Sequence, residues 1–175
     1  MHRWSFVGLG FLVGLLVVPC VVYAYLYYGR PPVAVSDGAF PMEKTIVRAA
    51  LHRRIASEMK QPSFEATAES DLAGAKVYKE QCAFCHGIPK QKSAIGATMY
   101  PSAPQLWQAH RGGVVGVSDD PVGETYWRVR NGIRLTGMPS YEHLLSEQQL
   151  WQVSLLLSRA DKPLTNEVQV ALGIR

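Results

Sequence analysis

Two cysteines three positions apart, with a histidine directly after the second, stand in Cys82-Ala83-Phe84-Cys85-His86. Thiols at that spacing lie one short turn apart, so each can form a thioether with one vinyl group on the edge of a single haem. His86 is then carried under the ring, where a neutral imidazole nitrogen can bind iron. A structural zinc site would use the same three side chains but needs a further ligand pair, and the remaining cysteine, Cys20, lies in an apolar stretch. A redox dithiol would need a preceding strand and a βαβ setting, whereas the residues before Cys82 have helix-forming composition. Covalent haem attachment and electron transfer are the chemistry these residues point to. A zinc site, a dithiol and a chance spacing in a loop are the alternatives.

A haem iron bound by His86 has a sixth position to fill. Gly137-Met138-Pro139 is the leading source: Gly137 permits an unusual turn, and Pro139 biases Met138 toward an extended conformation that can aim its thioether. A histidine and methionine pair raises the reduction potential relative to two nitrogens, which suits a carrier. Met99 is the competing thioether, with His110 and His143 behind it, and a lone methionine can also be a gap filler in a core.

The elements that must hold these groups are helices. Residues 71–80 have helix-forming composition, can be capped by Ser70 or Asp71, and deliver Cys82 at their end. Gly74 and Tyr78 share one face of that helix, and a glycine there hints at a close helix crossing. A second helix is expected over 121–131, capped by Asp119 or Asp120 and stopped by Gly132. A third is expected over 146–160, where Ser146 and Gln149 form a capping box ahead of Leu150, Trp151, Val153, Leu155, Leu156 and Leu157. Between Gly87 and Gly123, Pro89, Pro101, Pro104, Gly112, Gly113 and Gly116 argue for loops, and a haem would give those loops something to pack on.

With 175 residues, 47 % of them hydrophobic, the chain has room for one ordinary domain and an appendage. From Trp4 to Gly29 there is no Asp, Glu, Lys, Arg or His. At about 1.5 Å per residue that stretch can cross a hydrocarbon core of roughly 30 Å. A cleaved signal peptide is the alternative, but the apolar run is long for one, and the tyrosines from Tyr23 to Tyr28 suit an interface belt. Cys20, preceded by Pro19, reads as a small buried hydrophobe rather than a lipid-modified residue. The amino terminus, His2 and Arg3 weigh against Arg30, Lys44 and Arg48, with a slight preference for the N-terminus inside.

A helix is expected from Phe40 to Lys60, after a linker rich in proline and glycine. Val47, Leu51, Ile55 and Met59 form a thin apolar stripe beside Arg48, His52, Arg53 and Arg54. The stripe would either pack on the haem domain, leaving the arginines solvated, or meet a partner or anionic headgroups. The formal charge of +4 comes with no long basic run or basic-aromatic interleaving, so nothing suggests nucleic acid.

From Asp71 to about Pro163 the chain resembles the monohaem class I cytochrome c family. The matching residues are Gly74 and Tyr78, Cys82, Cys85 and His86, Pro104 and Leu106 in Ala103-Pro104-Gln105-Leu106, the helix end at 127–132, Gly137-Met138-Pro139, and Leu150-Trp151. The resemblance implies an all-α fold: a cytochrome c-like haem domain of three or more helices with long loops, its terminal helices crossing near Gly74. An N-terminal transmembrane helix and a short amphipathic helix would precede it. By the same resemblance one haem c is held covalently by Cys82 and Cys85, with His86 and Met138 as axial ligands. The Pro104 carbonyl would accept the His86 ring N–H, and because the stretch from His86 is longer than in the shortest members, Pro101 or Pro89 could hold that place.

The implied organisation is an anchor over 1–30, a linker with the amphipathic helix over 31–70, the haem domain over 71–163 and a tail over 164–175. The function implied is that of an electron carrier, not an enzyme, passing single electrons between donor and acceptor proteins of the respiratory membrane. It would sit in the bilayer of the cell inner membrane by a single pass, with the haem on the periplasmic side. The alternative is a permanent subunit of a larger membrane oxidoreductase, with the Phe40 helix and the loop near Arg111 to Gly116 in an interface. A haem sensor or small enzyme, in which a weak ligand leaves and opens the iron to a substrate, is a third possibility.

Overall fold

A computed structural model describes residues 2–110 and 112–174, and the regular elements among them are eight helices and no strands. The chain divides into two units, Met1–Glu43 and Lys44–Arg175. Met1 and Arg111, on which the orientation and interface expectations partly rest, lie outside the described residues.

In the first unit α1 (His2–Tyr28) contains Pro19 and is apolar on every side from Phe6 onward. Its 23 residues Phe6–Tyr28 are long and apolar enough to cross a membrane, and none of that surface is buried. Tyr23 stacks on Tyr27, whose ring meets that of Tyr28 edge-on. In the linker beyond, the Asp37 carboxylate accepts the N–H groups of Val33 and Ala34, both at 2.8 Å, which closes a local turn.

The second unit is built on a helix crossing. Helix α3 (Ala68–Gln81) starts earlier than the sequence suggests, because Thr67 is its cap: Thr67 Oγ1 accepts Ser70 N–H and Ser70 Oγ accepts Thr67 N–H. Ser70 therefore completes the box from inside the first turn, and neither it nor Asp71 is the cap. Helix α7 (Glu147–Leu157) has the expected box of Ser146 and Gln149, and ends three residues short of 160, where turn-type bonds to Leu156 and Leu157 tighten the chain. The two helices cross at Gly74. A Cβ there would stand 2.8 Å from the carbonyl carbon of Gln152 and 3.2 Å from Leu156 Cβ, so only glycine permits this approach.

Helix α6 (Val122–Asn131) lies beside α7 through a stack of Tyr126 on Trp151, with ring centroids 3.9 Å apart. It has no side-chain cap; Asp120, one of the two expected capping residues, instead bonds Arg128 at 3.1 Å. Gly132 ends it with φ +67°, as expected of a left-handed stop.

Two further segments join this core. Helix α2 (Glu43–Glu58) occupies most of the expected 40–60 range. Its Ile55 is fully buried, Glu58 accepts the Trp127 indole N–H at 2.8 Å, and Lys60 passes close over Gly123. Of the stripe Ile55 is buried and Leu51 half-buried, while Val47 and Met59 stay exposed and Arg48, Arg53 and Arg54 face solvent. The segment 164–175, expected as a tail, carries α8 (Asn166–Ala171), capped by Thr165, with Val168 and Leu172 buried in the core.

Candidate metal centre

Cys82 closes α3 and opens α4 (Ala83–His86), a single turn. The N–H groups of Cys85 and His86 both reach back to the Cys82 carbonyl, at 3.1 and 2.9 Å, and Gly87, with φ +72°, ends the turn. The two thiols therefore sit on one turn with the imidazole directly after them, and both are free. Burial, and then the charge of Cys85, push the Cys82 thiol up to about 12. A redox dithiol is helped by a lowered thiol, and this shift runs the other way. Among the described residues no group of three or more His, Cys, Asp or Glu is placed to hold a metal ion.

His86 Nδ1 lies 2.8 Å from the Pro104 carbonyl. A carbonyl only accepts, so Nδ1 carries the proton and Nε2 keeps its lone pair. Burial holds His86 below the usual histidine range, with the bond to Pro104 partly opposing it, which favours the neutral ring. A neutral ring with one nitrogen tied and the other free is the form that binds a metal. Pro104, rather than Pro89 or Pro101, provides the acceptor.

Tyr78, one turn before Cys82, is fully buried and donates its hydroxyl to the Gly87 carbonyl at 2.7 Å. Trp107 packs edge-on against its ring at 5.5 Å. The turn that carries the thiols is therefore held at its far end by a side chain from α3.

Met138 lies on the loop that leaves α6 and packs half-buried against the core that contains Cys82. The loop is folded on itself: Ile133 N–H donates to the Met138 carbonyl at 3.2 Å, and Met138 N–H donates to Thr136 Oγ1 at 3.1 Å. A Cβ on Gly132 would stand 2.8 Å from the Met138 carbonyl, so the glycine that stops α6 also lets the loop cross over its end. Tyr141 fastens the loop to α3 by donating its hydroxyl to the Gln81 carbonyl at 2.7 Å.

The competing thioether is close by. A Cβ on Gly137 would stand 3.1 Å from Met99 Sδ, so Met99 lies against the residue next to Met138. His110 is within 2.7 Å of the Gly116 carbonyl through Nε2, in its own loop, and His143 is exposed. Sequence reasoning missed Ser93, Gln105 and Tyr141, which hold the attachment turn and the Met138 loop; Gln105, between Pro104 and Leu106 in a quoted motif, was the one with a signal.

Two thiols on one turn, an oriented imidazole with a free Nε2 and a tethered thioether loop together suit a covalently held haem. Residues 69–155 match the family model of cytochrome C oxidase, cbb3-type, subunit III, which takes in most of α3, the turn of Cys82 to His86, the Met138 loop and most of α7. No curated protein and no solved structure matches the chain.

Proposed function

Through residues 69–155 the chain belongs to the class I c-type cytochromes, and from that premise we propose that it is a membrane-anchored monohaem carrier of single electrons. The observation that carries this reading is the His86 Nδ1 to Pro104 bond on the same turn as Cys82 and Cys85, which leaves Nε2 free for iron. In the proposal Cys82 and Cys85 would hold one haem c through thioethers, and His86 Nε2 and Met138 Sδ would be the protein's ligands to its iron. The haem supplies a one-electron couple between ferric and ferrous iron. The residues do the rest: Pro104 fixes the imidazole tautomer, the folded 133–138 loop holds the thioether, and the core around Tyr78 and Leu106 keeps water away.

Helix α1 supports an anchor, because a helix that is apolar all round needs lipid or protein about it. A single pass through the cell inner membrane would place the haem domain on the periplasmic side and raise its effective concentration near membrane donors and acceptors. From Cys82 to Ser118 the chain has no Asp or Glu, and Lys90 and Lys92 are exposed, which supports transient docking on partners with acidic surfaces.

A redox titration of the full-length, haem-loaded protein tests the carrier: a reversible one-electron couple with one haem per chain is expected, and its absence contradicts it. The second reading, a permanent subunit of a larger oxidoreductase, is favoured by the description of the matching family as an oxidase subunit. Extraction in mild detergent separates the two, since a carrier runs alone and a subunit brings other chains with it.

A further inference from the structure

Helix α4 is one turn long, so its last carbonyls have no partners within it and must find donors elsewhere. The segment 93–106 supplies them. Ser93 Oγ donates to the Phe84 carbonyl, Gln105 Nε2 to the Cys85 carbonyl at 3.4 Å, and Leu106 N–H to the His86 carbonyl at 3.3 Å. Gln105 is at the centre of this arrangement. Its Oε1 accepts Ser93 N–H at 2.7 Å, and its Nε2 also donates to the Ala103 carbonyl at 3.1 Å. Two glycines make the close approach possible: a Cβ on Gly87 would stand 2.8 Å from Gln105 Oε1, and one on Gly96 would stand 3.1 Å from the Cys85 carbonyl carbon.

The peptide between Pro104 and Gln105 carries the carbonyl that accepts the His86 Nδ1 proton. A Gln105 side chain tied to Ser93, Cys85 and Ala103 fixes the orientation of that peptide, and with it the acceptor. We infer that Gln105 is a positioning residue for His86: its amide ties the 93–106 loop to the attachment turn and holds the Pro104 carbonyl on the imidazole. This rests on the proposed role of His86 as an iron ligand. A firm bond from Nδ1–H makes Nε2 the stronger electron donor, which favours ferric iron. Loosening the clasp therefore raises the reduction potential.

The test uses the full-length protein loaded with haem. Gln105→Met keeps the length of the side chain and removes its hydrogen bonds. The midpoint potential should rise, and the His86 Nδ1 proton, followed by NMR, should exchange about tenfold faster, the factor that one ordinary hydrogen bond supports. A variant that melts lower but keeps the wild-type potential and exchange rate would overturn the inference and leave Gln105 a structural residue only. A second measurement needs no variant: in the wild type the Gln105 side-chain amide protons should be protected from exchange, and free exchange there overturns the inference even where Gln105→Met fails to load. A wild-type chain that binds no haem on Cys82 and Cys85 sinks the proposed function instead, and amide protection in that unloaded chain still reads the clasp.

Discussion

Gly74→Ala should destabilise the cytochrome domain, although helix propensity alone says the opposite. Alanine in a helix interior is favoured over glycine by about 1 kcal/mol. At Gly74, however, the new methyl would stand 2.8 Å from the carbonyl carbon of Gln152 and 3.2 Å from Leu156 Cβ. Carbon atoms in contact prefer about 3.5–4.0 Å, so α3 and α7 must part by roughly 1 Å. The obstacle is helix backbone and cannot rotate aside, which puts the overpacking cost near the upper end of its usual range, about 3 kcal/mol. The net loss is then about 2 kcal/mol, or a melting temperature lower by about 8 °C for a domain of this size. Thermal unfolding followed by circular dichroism of the haem-loaded protein reads it. A variant as stable as the wild type, or more stable, would refute the reasoning, because propensity would then outweigh the crossing.

Other perturbations follow from the same geometry. Met138→Ala should abolish the weak far-red absorption of thioether-bound ferric haem and open the iron to added ligands; an unchanged spectrum would move the ligation to Met99, which lies against Gly137. Tyr78→Phe leaves the buried Gly87 carbonyl without its donor and should cost about 1–3 kcal/mol in denaturant unfolding. Ile55→Ala should cost about 2–4 kcal/mol and make 44–60 sensitive to protease while the haem spectrum stays the same. The Trp127 indole, and then Arg54, hold the Glu58 carboxyl below the usual range. A lowered carboxyl stabilises above its unfolded value and loses that contribution as pH falls through its folded one. Protection of the α2 amides, measured against the intrinsic exchange rate at each pH, should therefore be steady near neutral pH and fall in acid, and Glu58→Gln should remove that dependence.

What could be read in the chain alone is what local chemistry dictates. The attachment motif, the Ser146 and Gln149 box, the Gly132 stop and the apolar first helix depend on residues a few positions apart, and each lies where its spacing puts it. The close crossing at Gly74 was legible for a similar reason, since a glycine amid helix formers has a cost that something must offset. The cap of α3 lies three or four residues before the expected Ser70 or Asp71 because Thr67, Ser70 and Asp71 all favour helix starts and only the folded box shows which one leads. Helix α8 is six residues long, too short for a periodic signal, and Val168 and Leu172 are buried only through the rest of the core. In α2 the apolar stripe was visible, but its anchoring at Glu58 depends on Trp127, far away in the sequence. Gln105 stood in a quoted motif, yet its partners Ser93 and Cys85 are brought to it only by the folding of the loop.

The most direct test of the account is the state of Cys82, Cys85 and the iron in the matured protein. Oxidised and reduced visible spectra should be taken, followed by acid and organic extraction under denaturing conditions. The account predicts low-spin haem that stays with the polypeptide after extraction, with the far-red band of methionine-bound ferric iron before it. Haem that extracts freely, or a chain that takes up none, would contradict it.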